Sequence, residues 1–232
     1  MGFYSNGCIR GAAELPEDGI GYQTMYVSRH RHFGHPELVQ TVQDLARKLD
    51  QEGSALLMGD MGQPRGGPMP YGHASHQLGL DADLWFWTHP EQRMRKLTRN
   101  ERDTLPMISM LSSSGRVDPK RFGKEQVLKL RLAASDPKVE RIFVNPAIKL
   151  HLCQMLPASE LSWLHKLRPW PGHDAHFHIR LACPQNSSQC RSQDPVSPGD
   201  GCAELRAQPT PRPGRKLPPE PLPDECQKVL RE

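Results

Sequence analysis

The sequence lacks any apolar run long enough to span a membrane. Its N-terminus, MGFYSNGCIR, lacks a basic segment followed by an apolar stretch, so no signal peptide is visible. It also lacks a marked charge excess. Thirty basic residues against 26 acidic ones leave a formal +4, too little to argue for a nucleic-acid partner. None of its six cysteines (Cys8, Cys153, Cys183, Cys190, Cys202 and Cys226) stands in a C-x-x-C pair, which argues against a cysteine zinc site. An even number of unpatterned cysteines is better read as three disulfides. That places the protein in an oxidising compartment, so the chain is read as a mature or truncated form of an exported protein. Spacing alone leaves every disulfide connectivity open. Hydrophobic residues make up only 36% of 232 residues, and there are 23 prolines, many near the C-terminus. One compact domain with a tail is expected, with a core shorter than the chain.

What is present divides into recognisable elements. ELVQTVQDLARKLDQ (37–51) carries Leu38, Val39, Val42, Leu45, Ala46 and Leu49 at helical spacing, with Pro36 placed to start the helix and Gly53 to end it. SALLMG (54–59) reads as a short buried strand, and DMGQPRGGPMPYG (60–72) as a loop. In LGLDADLWF (78–86), Leu78, Leu80, Ala82, Leu84 and Phe86 face one way while Asp81 and Asp83 face the other. Helices are expected over 124–134, 146–156 and 158–167, and strands over 139–145 and 175–181. From 207 to 223 the chain is proline-rich and extended.

Three histidines, His173, His176 and His178, lie within PGHDAHFHIR. On a strand, His176 and His178 share a face with Arg180, while Phe177, Ile179 and Leu181 point to the core. Two imidazoles aimed at one point suggest a metal, most often zinc. A second cluster, GHASHQLGLDAD, holds His73, His76 and Asp83. His76 and Asp83 are seven residues apart and would face opposite ways on one regular strand. His76 therefore belongs in the loop or a bulge before the strand, with Gly79 supplying permissive backbone.

The His-x6-Asp of His76 and Asp83, followed about a hundred residues later by the His-x-His of His176 and His178, resembles the lysostaphin-type and D-Ala-D-Ala metallopeptidases. FYSNGCI, FGHPELV, GDMG, GHASHQLGLDAD, RIFVNPAIK, RPW, HFHIRLACP and GDGC are similar to the penicillin-insensitive murein endopeptidase family, over nearly the whole chain. The resemblance implies a single zinc ion held by His76, Asp83 and His178, with His176 as base and His173 and His73 as further active-site histidines. Two imidazoles and a carboxylate leave such an ion an open position for water, which zinc acidifies towards neutrality. Which of His73 and His173 supports the oxyanion stays open. The resemblance also implies the pairings Cys8–Cys226, Cys153–Cys202 and Cys183–Cys190, the first tying the tail to the N-terminus.

Other groups have plainer readings. His30, His32 and His35 are read as surface or helix-start residues, and His89, His151 and His165 as ordinary surface or helix residues. Trp85 and Trp87 are read as packing, and Trp163 and Trp170 as core. Asp81 shares the face of Asp83 and lines the site. Asp60 and Arg65 lie in the preceding loop, where Arg65 either meets a substrate carboxylate or is a solvated charge. The charged stretch 92–106 matches no family feature.

The expected fold is α+β: a central antiparallel sheet flanked by helices, with zinc on the open sheet face. Residues 1–206 form the metallopeptidase domain, and 207–232 a proline-rich tail tied back by a disulfide. The expected function is a periplasmic zinc endopeptidase cleaving D-alanyl–meso-diaminopimelyl crosslinks between peptidoglycan stems, indifferent to β-lactams because no serine nucleophile takes part. A homodimer is a further option. The rivals are a D-Ala-D-Ala carboxypeptidase or dipeptidase, and a zinc-bearing wall-binding module without hydrolysis.

Overall fold

The helix expected after Pro36 forms as α1 (Pro36–Gln51), and it shows how one side of the molecule is built. Pro36 opens it, the His35 ring accepts the Glu37 N–H at 3.2 Å, and Gly53 beyond its end takes φ +79. Its stripe of Leu38, Val42, Leu45, Ala46 and Leu49 is fully or almost fully buried. Each leucine or valine of the stripe contributes about 1.5–3 kcal/mol of apolar burial. The computed structural model describes residues 1–207 and 221–232.

The stripe packs on a seven-stranded sheet made of β1 (Asp18–Gly19), β2 (Tyr22–Thr24), β3 (Leu56–Met58), β4 (Asp81–Trp85), β5 (Val139–Val144), β6 (Leu167–Pro169) and β7 (His176–Leu181). The spatial order is β6-β5-β7-β4-β3-β2-β1. The other helices are α2 (Arg99–Thr104), α3 (Lys124–Ser135), α4 (Pro146–Met155), α5 (Cys202–Ala207) and α6 (Asp224–Val229). The fold is α+β, but the sheet is mixed rather than antiparallel. The central pairings β5–β7, β7–β4 and β4–β3 are antiparallel, whereas β6–β5 and β2–β3 are parallel. Both parallel pairs follow from a strand–helix–strand connection, through α1 and through α4, that returns the chain in its original direction.

One face of the sheet is the apolar core. Leu56, Met58, Ala82, Leu84, Ile142, Val144, Phe177, Ile179 and Leu181 pack there with α1, α3 and α4. The opposite face carries Asp81, Asp83, His176, His178 and Arg180, beside a small cluster of Met25, Leu57, Trp85 and Leu97. This second face is not open as expected. Asp81 and Asp83 are buried, because the loop after β3 and the N-terminal segment fold across it. The N-terminal segment is tied down by Gln77 N–H to Tyr4 O at 3.2 Å, Gln77 Nε2 to Ser5 O at 2.9 Å and Tyr4 Oη to Leu181 O at 2.7 Å.

The three disulfides are Cys8–Cys226, Cys153–Cys202 and Cys183–Cys190. The first joins the N-terminal segment to α6, where Val229 packs against it. Most of the expected extended proline-rich stretch, 208–220, lies outside the described residues, and the expected boundary after residue 206 falls at the end of α5.

Four local readings change. Residues 158–167 are not an α-helix but two 3-10 turns, Ala158–Glu160 and Ser162–Lys166. Leu161, Leu164 and Leu167 recur every three residues, the period of a 3-10 turn. Trp170 is 53% exposed rather than core, at the rim of a pocket on the second face. His32 is buried and pairs with Glu14 at 3.0 Å, although His35 does sit at a helix start. The unassigned stretch 92–106 delivers Arg102, which is buried and binds Leu97 O at 3.0 Å, Glu17 O at 2.7 Å, Gln23 Oε1 at 3.0 Å and the Asp18 carboxylate. It anchors α2 to the β1–β2 edge.

Lys129 of α3 is also buried, its Nζ donating to Phe86 O at 3.0 Å and Thr88 Oγ1 at 2.6 Å. Burial pushes its pKa down to about 8, against the pull of Glu125. Between about 8 and the ordinary lysine value of 10.5, the unfolded chain holds a proton that the native one has released. Native stability is therefore expected to rise with pH across that window. Lys129→Met should flatten the rise, as measured by urea unfolding at pH 7, 8, 9 and 10. An unchanged slope would show that Lys129 is ordinary in the native state.

Candidate metal centre

The loop between β3 and β4 needs backbone that side chains rarely permit. Gly79 has φ +66, and a Cβ there would lie 3.0 Å from His35 N and 3.1 Å from Gly34 Cα. This is the permissive glycine expected before the strand, and it turns the chain so that His76 reaches the site. His76 itself has φ +69 and His173 φ +52, an uncommon conformation for a residue with a side chain. Both are held there. His76 N–H donates to Asp81 Oδ2 at 3.1 Å, and its Nδ1–H to Met61 O at 2.6 Å. His173 O accepts the Asn145 N–H at 2.9 Å.

Strand register does the rest. On β7 and β4, His178 pairs with Asp83, Arg180 with Asp81, and His176 with Trp85. His178 Nε2–H donates to Asp81 Oδ1 at 2.7 Å, which leaves Nδ1 facing Asp83 Oδ1 at 3.5 Å. His76 Nε2 faces the same oxygen at 3.5 Å, and His176 Nε2 lies 3.7 Å from it. His73 Nε2 is 3.0 Å from Asp60 Oδ2 and 3.5 Å from Asp83 Oδ2. The His173 ring stands 5.0 Å from that of His176. The six residues singled out in the sequence thus form one cluster around Asp83.

Two atoms of that cluster are left unpaired. His76 Nε2 and Asp83 Oδ1 are buried and have no hydrogen-bond partner. A buried lone pair beside a buried carboxylate oxygen is costly unless a cation joins them. His76 and His178 each have their remote nitrogen tied by a donated hydrogen bond, which fixes the tautomer and directs the other nitrogen inward, as metal-bound imidazoles require. His73 differs. With His76 and Asp83 it forms a group whose ligand atoms lie within 4.8 Å of one another. Its Nε2, however, faces two carboxylates, which only accept, so it must carry the proton.

The electrostatics agree for Asp83, Asp81 and His178, whereas at His76 burial opposes charge but the Asp83 and Asp81 carboxylates outweigh it and raise the ring's pKa. Burial works against charge on Asp83, but the His176, His76 and His178 rings outweigh it and hold the carboxyl well below its ordinary range. Burial likewise opposes charge on Asp81, where Arg180 and His178 prevail. Burial pushes His178 down to about 3 and His173 down to about 4, the second helped by His176. Neutral imidazoles and ionised carboxylates are the forms that bind metal.

A sequence model of the penicillin-insensitive murein endopeptidase family matches residues 1–231. The chain belongs to that family. It is 42% identical to a Haemophilus influenzae protein named penicillin-insensitive murein endopeptidase, over 99% of this chain and 82% of that one. A relative of the same name from Klebsiella pneumoniae (strain 342) is 44% identical over 100% of this chain and 86% of its own length. A third, from Yersinia enterocolitica, is 42% identical over 99% and 84% respectively.

Sequence reasoning missed the supports of the cluster. Asp60, which it left in a loop, is buried and receives Arg31 at 3.0 Å and Arg29 at 3.2 Å as well as His73. Asp81 does more than line the site, since it holds His178, His76 and Arg180 at once. Its place on the face of Asp83, two residues away, was the available signal. Asp81→Asn should lower metal affinity about 10- to 100-fold, read by competition with a chromogenic chelator. Unchanged affinity would mean that Asp81 does not orient His178.

Proposed function

We propose that the chain is a zinc endopeptidase of the periplasm that hydrolyses D-alanyl–meso-diaminopimelyl crosslinks in peptidoglycan. The observation that carries this is the orphaned pair His76 Nε2 and Asp83 Oδ1, with a second anchored imidazole, His178, beside it. Two imidazole nitrogens and a carboxylate oxygen suit zinc in a catalytic, three-residue site. His76, Asp83 and His178 would hold the ion. Bound there, it would supply Lewis acidity for the scissile carbonyl and for an attacking water.

The chain's own residues do the remainder. His176 stands beside the ligand set without being tied into it, and its Nε2 can take a proton from water and return it to the leaving amine. His73, held by Asp60 beside Asp83, lines the pocket next to the ligand set, where its ring would face developing negative charge. His173 stands with its ring 5.0 Å from that of His176 and lines the same pocket as His73 and His178. The relatives' shared name, murein endopeptidase, supports peptidoglycan as the substrate class.

Purified crosslinked muropeptide dimers, digested with and without chelator and read by mass spectrometry, test the reading. Dimers should fall to monomers with uptake of one water, only when metal is present. Trimming of terminal alanine from intact dimers would instead show a carboxypeptidase, and zinc binding without cleavage a wall-binding module. His178→Ala should lose the metal and His73→Ala retain it. The reverse would make His73 the ligand.

A further inference from the structure

Arg180 is buried on the same face as His178, two residues along β7. Its Nε–H donates to Asp81 Oδ1 at 2.6 Å. The guanidinium carbon lies 4.3 Å from the Tyr4 ring centre and 5.0 Å from that of Phe143, so the group is fixed between two aromatic rings. Only Nε is used in this way. Among the described residues the two Nη atoms make no hydrogen bond, and they are not sealed into the protein interior. Arg180 lines a pocket of about 510 Å³ together with His73, His173, His178 and Trp170. In the same pocket, buried Gln193 Oε1 has no partner. A guanidinium held by Nε with both Nη groups free presents the end-on fork that grips a carboxylate with two parallel hydrogen bonds.

We propose that Arg180 binds the substrate carboxylate next to the scissile amide, the one on the carbon that bears the leaving nitrogen. The proposal rests on the endopeptidase reading above. In a D-alanyl–diaminopimelyl crosslink, that carboxyl carbon is three bonds from the scissile carbonyl carbon, within about 4 Å by standard bond lengths. Two residues of strand separate Arg180 from His178 by about 6.8 Å. A carbonyl placed at the His76–Asp83–His178 cluster therefore puts its neighbouring carboxylate within hydrogen-bond reach of the Nη groups. Arg65, the other arginine considered for such a role, lies exposed in its loop and lines no part of this pocket.

The test uses the metal-loaded protein and two matched muropeptide dimers, one with the free carboxyl at that diaminopimelate centre and one with a primary carboxamide. The amide dimer should be cleaved with kcat/KM lower by about 10- to 100-fold, chiefly through KM, the size expected for losing a charge-assisted pair. Arg180→Met should abolish the preference, and Arg180→Lys should keep part of it. Equal cleavage of both dimers by the unmodified protein overturns the proposal, and that arm needs no variant to fold. So does an Arg180→Met protein that keeps the preference while kcat drops on both dimers, because the arginine would then act only by positioning Asp81 and His178. Cleavage of neither dimer by the unmodified protein would overturn the endopeptidase reading itself, and this proposal with it.

Discussion

Asp83→Asn is expected to give a folded protein that retains no metal after dialysis and cleaves muropeptide dimers about a thousandfold more slowly or worse. Asparagine keeps the shape of the side chain but removes the charge on which the three imidazoles His76, His176 and His178 converge, at 3.5, 3.7 and 3.5 Å. The loss of several kcal/mol of electrostatic stabilisation sets the scale. Folding should survive, because an amide N–H facing His76 Nε2 pairs an atom that is otherwise orphaned. Metal content by mass spectrometry and turnover on the same sample would check both halves. A variant that kept its metal would mean that the histidines alone form the site.

The second large effect concerns stability. Replacing Cys8 and Cys226 with serine opens a bridge that spans 218 residues of sequence. Loop-closure entropy assigns such a bridge about 5 kcal/mol, and measured losses for native disulfides run about 2–5 kcal/mol. Either figure is a large part of the stability of an ordinary domain. The damage should reach the site, because the segment that Cys8 anchors also carries Tyr4, which lies against Arg180, and Ser5, which accepts from Gln77 next to His76. Guanidinium unfolding should show the midpoint fall, and hydrogen exchange should show early opening at the N-terminus and α6. A midpoint within error of the parent would mean that the tail is held by packing alone.

How much of this was legible depended on whether neighbours in sequence were also neighbours in space. α1, β4 and β7 each follow a strict period with clear ends, and the sequence places them within a few residues. The cluster was legible because its residues fall into two short motifs, and because a resemblance said how the motifs meet. Composition alone would have left His-x-His no better than an open question. The parallel edges of the sheet were implicit in strand–helix–strand order, but direction follows from pairing partners, which no local pattern displays. Asp60 with Arg29 and Arg31 was not legible. The two arginines and the aspartate come from two separate stretches, which meet where Met61 N–H bonds Arg31 O at 2.6 Å. Trp170 reads as core because tryptophan is highly buried on average, yet it follows the edge strand β6, meets Phe143 in a T-shaped contact and stays half exposed.

The pairing of His178 with Asp83 has a consequence for quality control in the cell. Side chains alternate along a strand, so a slip of one residue between β7 and β4 would turn Phe177 or Ile179 towards the cluster and His178 into the apolar core. The same slip would separate Arg180 from Asp81. A misassembled copy of this protein therefore loses its chemistry along with its shape. For an enzyme that cuts the wall enclosing the cell, errors of folding are errors on the side of safety.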